Sequence, residues 1–194
     1  MVIVQAMEAL GNEFILIDAI SQKIDSEEEL KLLKICAKEF SFDQLLFLEP
    51  PTQKHAHLKL KIYNADGSLA ENCVNGIRAL ALYAFDESLV FSNTFILQIE
   101  DNLAQITRLQ ENEFAVKMSS FKFTKSSCAI ADSQELQFNF EGTDIKFYPV
   151  SVGNPHAVIF QDSLSDQIPE MGLTLQESNI YKNGVTVGLS LIHI

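Results

Sequence analysis

The sequence has few basic residues, few cysteines and no long hydrophobic run, and each shortage excludes a class of function. Lysine and arginine number 14 against 26 aspartates and glutamates, which gives a formal net charge of −12. Because no cluster of basic residues interrupts this acidic surface, we expect no nucleic-acid partner. No apolar run is long enough to span a bilayer, and the N-terminal residues show neither a basic segment nor a cleavage site. We therefore expect a cytoplasmic protein with no membrane partner.

Cysteine is scarce, with only Cys36, Cys73 and Cys128 in the chain. An odd number of cysteines at wide spacing argues against a disulfide framework and against a CxxC metal site. His55 and His57 share one face of a predicted strand, but no metal site is expected there because no further ligand lies near them in sequence. A cysteine with a chemical role is therefore expected to be a free thiol.

Short runs typical of β-strands dominate the chain. Apolar and polar residues alternate from Ala56 to Tyr63, which predicts a half-buried strand. A segment rich in serine, lysine and threonine at 121–133 is typical of a linker and predicts a domain boundary near residue 120. Further strands are predicted near residues 1–5, 14–17, 45–48, 94–99, 103–108, 113–118, 136–140, 145–150 and 157–160.

Two segments have the patterns of helices. Ser26 followed by Glu29 matches a capping box and predicts an amphipathic surface helix that ends near Phe40. Its apolar face is predicted to contain Leu33, Cys36, Ala37 and Phe40. The second helix, from Ile77 to Phe85, is apolar on every side except at Arg78, and it is too short to cross a membrane. We therefore predict that strands surround it, as a curved sheet around a central helix.

The sharpest local signal is a turn-rich segment, NADGS at 64–68, followed by ENCVNG at 71–76. This order predicts that Cys73 lies at the N-terminus of the buried helix. The free N–H groups and the helix dipole there are expected to lower the thiol pKa by about a unit from about 8.5, and to bind a carboxylate. A buried packing cysteine is the alternative, but the position between turn and helix favours a chemical role.

Other polar residues flank the predicted strands. Asn154 and His156 lie in a GNPH turn at 153–156, while Asn12 and Gln44 each stand beside a hydrophobic strand. Each is compatible with a turn, a cap, a structural histidine or a ligand contact, and periodicity does not decide between these.

Taken together, these segments resemble the diaminopimelate epimerase family. The sequence has GNEF at 11–14, FDQLL at 42–46, NADGS at 64–68, CVNGIR at 73–78 and VGNPHAVI at 152–159. These motifs match those of the family in order and in spacing, which makes the resemblance far more specific than a single short pattern.

The resemblance implies an α/β (α+β) fold with two similar domains, each a curved strand barrel around a central helix. Residues 1–120 would form the N-terminal domain that carries Cys73, and residues 121–188 an incomplete second domain. The last residues, LSLIHI at 189–194, are expected to be a non-native tail, because one frame of a sequencing-library transposon end encodes them. The second catalytic cysteine of the family would lie beyond residue 194.

The resemblance also implies a reaction. It is the epimerisation of LL-diaminopimelate to the meso form, in lysine and peptidoglycan precursor synthesis, with two cysteines as acid and base. No pyridoxal phosphate, other cofactor or metal is expected. Cys73 would be one of the two cysteines, with His156 in support. Substrate-binding positions would be Asn12, Gln44, Asn64, Val74, Asn75, Asn154 and Thr186.

The sequence departs from the family pattern at several positions. Val74 replaces a glycine after the cysteine, Ala79 a second cysteine in the helix, and Thr186 a substrate-binding asparagine. Glu8 and Ala9 replace a His-Gly pair. Because the second catalytic cysteine is absent, we expect the chain by itself to be inactive. The resemblance implies that the full-length parent is a homodimer that acts on diaminopimelate.

Three rival functions remain open from the sequence. Another cofactor-independent isomerase, of the proline racemase or phenazine-biosynthesis type, would share the fold but use a different acid and base. A cysteine hydrolase would need the imidazole of His156 within hydrogen-bond reach of Cys73. A binding module would hold the amino acid without turning it over.

Overall fold

The computed structural model describes residues 2–70, 72–118, 122–152, 154–163, 166–182 and 184–191. The chain divides into two compact units, Met1–Ser119 and Ser120–Ile194. Each unit has its own sheet and its own hydrophobic core. Glu71 and Gly153, which belong to the motifs described above, lie outside the described residues, as do the last three residues of the expected tail.

The first unit is built on one sheet of seven strands, which neighbour one another in chain order. Neighbouring strands are antiparallel except for two parallel pairs, the second with the third and the fourth with the fifth. The elements are β1 (Gln5–Ala9), β2 (Asn12–Asp18), α1 (Ala19–Gln22), α2 (Ser26–Glu39), β3 (Gln44–Glu49), β4 (Leu58–Asn64), α3 (Val74–Asp86), β5 (Thr94–Ile99), β6 (Asn102–Gln110) and β7 (Glu113–Lys117).

The sheet curls around α3. This helix contacts β1 and β7, the two ends of the sheet, as well as β2 and β3. Its side chains at Ile77, Leu80, Ala81 and Ala84 have no exposed surface. A helix that is apolar on all sides is stable only when it is enclosed, and the curled sheet encloses it. The prediction of a curved sheet around a central helix is therefore confirmed, and the helix begins directly after Cys73, as predicted.

Gly76 allows the N-terminus of α3 to approach the sheet closely. A Cβ atom at this position would lie 2.9 Å from Cδ2 of Leu46 and 3.4 Å from Cε1 of Phe14. Both of these side chains are buried in the core. The start of the helix is therefore fixed against β2 and β3 by a residue that has no side chain.

Helix α2 covers the outer face of the sheet, and the predicted capping box is wrong. The N-cap is Asp25, whose side chain accepts hydrogen bonds from the N–H groups of Glu27 and Glu28 at 2.9 Å. Glu29 does not reach back to the cap. It points inward to the Nζ of Lys61 at 3.0 Å and to the Tyr63 hydroxyl. The alternation of β4 places both of these partners on the face beneath the helix, and this tertiary pairing decides the role of Glu29.

The buried face of α2 differs from the prediction at its C-terminal end. Leu33 and Cys36 pack into the outer core, as predicted, against strand residues such as Leu45 and Phe47. Ala37 and Phe40, which were predicted on the same face, are exposed. The buried stripe instead begins with Glu29 and is therefore placed one turn nearer to the N-terminus.

The first strand begins later than predicted because a tight turn fixes its register. Leu10 and Gly11 both have positive φ, 52° and 84°, and Ala9 pairs with Asn12 across them. Two central residues in the left-handed region are typical of the two-residue turns that join antiparallel strands. The turn therefore sets the strand at Gln5–Ala9, where the hydrophobic pattern alone indicated residues 1–5.

The second unit contains a three-stranded sheet, a separate two-stranded hairpin and one α-helix among its described residues. Within the sheet the first pair of strands is antiparallel and the second pair parallel. The strand predicted at 145–150 is divided between two strands, and the helix and the last strand were not predicted. The elements are β8 (Gln137–Phe140), β9 (Thr143–Lys146), β10 (Tyr148–Ser151), β11 (Pro155–Gln161), α4 (Ile168–Glu177) and β12 (Thr186–Leu191), after a short 3-10 turn at Ser126–Cys128.

Candidate active site

Cys73 is the N-cap residue of α3, as the sequence predicts. Its backbone is extended, with φ −150° and ψ 101°, and its Sγ accepts a hydrogen bond from the N–H of Gly76 at 3.3 Å. The thiol is half-buried. A cysteine side chain thus occupies the place where serine or aspartate usually caps a helix.

The electrostatic environment of Cys73 differs from the prediction. Burial raises the pKa of the thiol, the N–H groups of Gly76 and Asn75 lower it in part, and the negative charge of Asp43 raises it again. The net pKa is raised, so the predicted lowering is wrong. The reason is that burial destabilises the thiolate more than the backbone N–H groups at the helix N-terminus stabilise it. Cys73 in this structure is a protonated thiol at neutral pH.

Gln44 and Asn64 meet at one end of the sheet. Gln44 opens β3 and Asn64 closes β4, and the two residues are register partners. The Nε2 of Gln44 donates to the Oδ1 of Asn64 at 3.0 Å. The Nδ2 of Asn64 donates in turn to the Oγ of Ser68 at 3.0 Å, and the Ser68 hydroxyl donates a hydrogen bond to the Oδ1 of Asp66. The turn motif therefore holds the amide of Asn64 in place.

Asn12 joins this end of the sheet to α3. It opens β2, whose Phe14 is the register partner of Gln44. Its Oδ1 accepts a hydrogen bond from the Nδ2 of Asn75 at 2.9 Å, and Asn75 stands in the first turn of α3 beside Val74. Strand ends that are far apart in sequence are thus connected to the helix that Cys73 caps.

Sequence reasoning missed the residues that hold these amides. Asp43 accepts from Asn12, Arg78 donates to Asn75, and Ser68 bridges Asn64 to Asp66. All of them stand inside the motifs FDQLL, CVNGIR and NADGS. Their place in those motifs was the available signal, but no local pattern indicates which amide each of them contacts.

The second unit brings together the other predicted site residues. Oδ1 of Asn154 lies 3.0 Å from Nε2 of His156, and because a carbonyl oxygen only accepts, the imidazole donates through this nitrogen. Thr186 begins β12 as the register partner of His156 and is exposed. Burial lowers the pKa of His156, which favours the neutral imidazole.

Other candidate features do not form a site. His57 accepts a hydrogen bond from the N–H of Ile96 at 3.0 Å, which gives it a structural partner. In the described parts of the chain, no group of three or more histidine, cysteine or acidic residues is placed to hold a metal ion. No helix among the described residues has the length and hydropathy of a membrane span. A cavity of about 530 Å³ is lined by Ala9, Arg78, Leu82 and Phe114, beside β1 and β7, but Cys73 does not line it.

Comparison with known proteins identifies the family. The family model described as diaminopimelate epimerase matches residues 4–124. The diaminopimelate epimerase of Teredinibacter turnerae is 29% identical over 188 residues, which cover 94% of this chain and 68% of that protein. The enzyme of the same name from Psychrobacter cryohalolentis is 30% identical over 194 residues, which cover 96% of this chain and 66% of that protein. The chain thus spans about two thirds of the length of these relatives.

Solved structures agree with this fold. The chain is similar to a probable proline racemase from Agrobacterium radiobacter K84, with a TM-score of 0.67 at 10% sequence identity, over 100% of this chain and 67% of that one. At this identity the similarity shows the fold alone. The curled sheet around a central helix, the family-model match and the relatives agree with one another, and the chain belongs to the diaminopimelate epimerase family.

Proposed function

We propose that this chain supplies one half of the active site of a cofactor-independent diaminopimelate epimerase, with Cys73 as one of two acid–base groups. The observation that carries the proposal is a half-buried thiol at the N-terminus of a buried helix, whose first turn is bonded to Asn12 through Asn75. Gln44 and Asn64 form a second amide pair at the ends of β3 and β4. These residues lie in the motifs that the chain shares with the family.

Inverting the Cα of an amino acid requires one group to remove a proton and another to return a proton to the opposite face. Cys73 as a thiolate would take the Cα proton in one direction, and as a thiol it would donate one in the other. Its raised pKa makes the thiol the resting form, so the structure as it stands is poised to donate. The N–H groups at the helix start, bound to the substrate carboxylate, would stabilise the negative charge of the developing carbanion.

The backbone at the start of α3 serves both the thiol and the substrate in this proposal. The N–H groups of Gly76 and Asn75 lie at the Cys73 sulfur, where they favour the thiolate. The N–H of Val74, one residue earlier, belongs to the helix positions that lack an intrahelical partner and suits a carboxylate.

The family resemblance also implies roles for three residues of the second unit. Asn154 and Thr186 would bind the substrate, and His156, held by Asn154, would support the proton transfers. Thr186 has a hydroxyl where the family pattern has an amide, so it offers one donor hydrogen instead of the two N–H hydrogens of an amide.

The group that acts on the opposite face is not among these residues, and by the family resemblance it is a second cysteine beyond residue 194. The chain by itself should therefore not epimerise LL-diaminopimelate, whereas the full-length parent should. We place the parent in the cytoplasm, as a homodimer in lysine and peptidoglycan precursor synthesis, on the strength of the same resemblance.

The test is Cys73→Ser in the full-length protein, assayed for conversion of LL- to meso-diaminopimelate. Serine caps a helix well, so the fold should survive, but its hydroxyl stays protonated and the rate should fall by about two orders of magnitude or more. Cys36→Ser is the matched control, since that thiol is buried in the outer core at 1% exposure. It should lower the thermal midpoint and leave turnover unchanged. An active but destabilised Cys73→Ser protein would make Cys73 a packing residue.

A further inference from the structure

Four side chains form a continuous relay of hydrogen bonds beside Cys73. Nη1 of Arg78 donates to Oδ1 of Asn75 at 3.2 Å, and Nδ2 of Asn75 donates to Oδ1 of Asn12 at 2.9 Å. Nδ2 of Asn12 then donates to Oδ2 of Asp43 at 3.2 Å. The same Oδ2 accepts the N–H of Glu13 at 2.9 Å. The relay therefore connects the first turn of α3 to the beginning of β2 and to the segment before β3.

The two ends of this relay fix its direction. A guanidinium only donates and an ionised carboxylate only accepts, whereas an asparagine amide does either, depending on how it is turned. The hydrogen bonds from Glu13 and Asn12 lower the pKa of the Asp43 carboxyl, which keeps it ionised at neutral pH. If the amide of Asn12 were reversed, its oxygen would face the carboxylate and its nitrogen would face the Nδ2 of Asn75. Both contacts would be repulsive, so only one orientation of each amide satisfies the relay.

The orientation matters because each amide has hydrogen-bonding capacity left over. In the relay each amide uses one N–H and one oxygen lone pair, which leaves a second N–H and a second lone pair. An amino acid presents an ammonium group, which only donates, and a carboxylate, which only accepts. Reversing an amide would therefore exchange the positions at which it offers a donor and an acceptor to an amino acid.

We propose that Asp43 and Arg78 are positioning residues for the reaction proposed above, because they fix the orientation of the amide of Asn12, a proposed substrate contact, and of the Asn75 amide bonded to it. The proposal rests on that function for its kinetic consequence, but not for the orientation itself. Asp43 is exposed and Arg78 is half-buried, so neither belongs to the hydrophobic core. Their loss should therefore alter the site more than the stability of the fold.

Two substitutions at Asp43 separate its charge from its role in the relay. Its negative charge raises the pKa of Cys73, and both Asp43→Asn and Asp43→Ala remove that charge. Because one oxygen of Asp43 accepts both hydrogen bonds, the carbonyl oxygen of an asparagine at this position can still accept both. Alanine removes the acceptor as well. A positioning role thus predicts a defect in the alanine variant that the asparagine variant rescues.

The first experiment measures the amides directly, on this chain, with no substrate. In the ¹⁵N-labelled protein, the side-chain NH₂ signals of Asn12 and Asn75 are assigned by comparison with single variants. In the wild type and in Asp43→Asn, each amide should give NH₂ proton signals displaced from those of a solvent-exposed amide. In Asp43→Ala and in Arg78→Met these signals should broaden or move towards the exposed-amide positions, because the hydrogen bonds that displaced them are lost. Unchanged Asn12 signals in Asp43→Ala would overturn the proposal.

The second experiment measures kinetics in the full-length protein. Asp43→Ala should lower kcat/KM about 10- to 100-fold, which is typical when a contact group is misplaced by about 1 Å, while Asp43→Asn stays within about threefold of the wild type. Asp101→Ala, in the turn between β5 and β6, is the exposed control. All three should unfold at the wild-type temperature within about two degrees, and the pH profile of Cys73 alkylation should move equally in the two Asp43 variants.

The outcomes distinguish the two proposals. If Asp43→Asn loses as much kcat/KM as Asp43→Ala, Asp43 acts through its charge and the positioning role is wrong. If the wild-type full-length protein does not epimerise diaminopimelate, the proposed function fails, and the amide signals still decide whether Asp43 and Arg78 orient Asn12 and Asn75.

Discussion

Replacing Glu29 by glutamine tests what attaches α2 to the sheet. The Glu29 side chain is 5% exposed and lies between the Nζ of Lys61, at 3.0 and 3.1 Å, and the hydroxyl of Tyr63. Lys61 also contacts Glu49 at 2.7 Å. Burial and the neighbouring glutamates raise the pKa of Tyr63, so the phenol remains a donor throughout the neutral range. Glutamine keeps the shape of the side chain and removes its charge.

The expected loss follows from these contacts. Removing one partner of a buried ion pair typically costs about 3–5 kcal/mol, because the other charge is left without compensation. Here Lys61 keeps Glu49 and is itself 22% exposed, and glutamine still accepts from Tyr63. Hydrogen bonds to charged groups are worth about 1.5–3 kcal/mol, so we expect Glu29→Gln to lower the free energy of unfolding by about 2 kcal/mol.

The measurement is urea unfolding, with Glu27→Gln on the same helix as the matched control. With a slope of about 2 kcal/mol per M, the midpoint of Glu29→Gln should fall by about 1 M. Glu27 pairs with Lys31 at 2.7 Å, but the two side chains are 80% and 65% exposed. Glu27→Gln should therefore lower the free energy of unfolding by less than about 0.5 kcal/mol. Equal losses in the two variants would refute the anchoring role of Glu29.

Three further predictions concern the thiol, the helix start and the response to acid. Because the pKa of Cys73 is raised, its alkylation by iodoacetamide should reach half its maximal rate at a pH above the ordinary thiol pKa of about 8.5. A lower midpoint would show that the helix N-terminus dominates. Gly76→Ala places a Cβ 2.9 Å from the side chain of buried Leu46. Overpacking costs about 1–3 kcal/mol and the higher helix propensity of alanine returns up to about 1 kcal/mol, so urea unfolding should show a free energy of unfolding lower by about 1–2 kcal/mol. An unchanged midpoint would mean that Leu46 moves freely. Burial raises the pKa of Glu49, but the hydrogen bonds from its two lysine partners lower it by more, so the net pKa is lowered. The contribution of Glu49 to folding stability is therefore complete above the ordinary pKa of 4.5 and is lost as the pH falls through the lowered folded pKa. Glu49→Gln should flatten that part of the profile of stability against pH, and a profile identical to the wild type would contradict this.

Local periodicity and turn chemistry were sufficient to predict several features of the fold. The alternation of apolar and polar residues at 56–63 predicts β4. The apolar run from Ile77 to Phe85 predicts a helix that only an enclosing sheet can bury. The NADGS turn followed by that helix was sufficient to place Cys73 at the helix start. The order of the motifs was sufficient to indicate the family, because turns and helix starts lie at fixed positions along the chain.

Which polar groups meet depends on the tertiary packing. Asp25 and Ser26 are both good capping residues, and Glu29 became an anchor only because β4 places Lys61 and Tyr63 beneath it. The direction of the Cys73 pKa shift depends on how much of the sheet covers the thiol, which no local pattern contains.

The relay at the site shows the same division. Asp43 and Asn12 are 31 positions apart, and Asn12 and Asn75 are 63 apart. Most of these residues lie in the motifs. The distances between their side chains, however, are set by the register of β2, β3 and β4 and by the close approach of α3 to the sheet at Gly76. Sequence patterns repeat over a few residues, whereas this site is assembled from strand ends and a helix start that meet only when the sheet curls around α3.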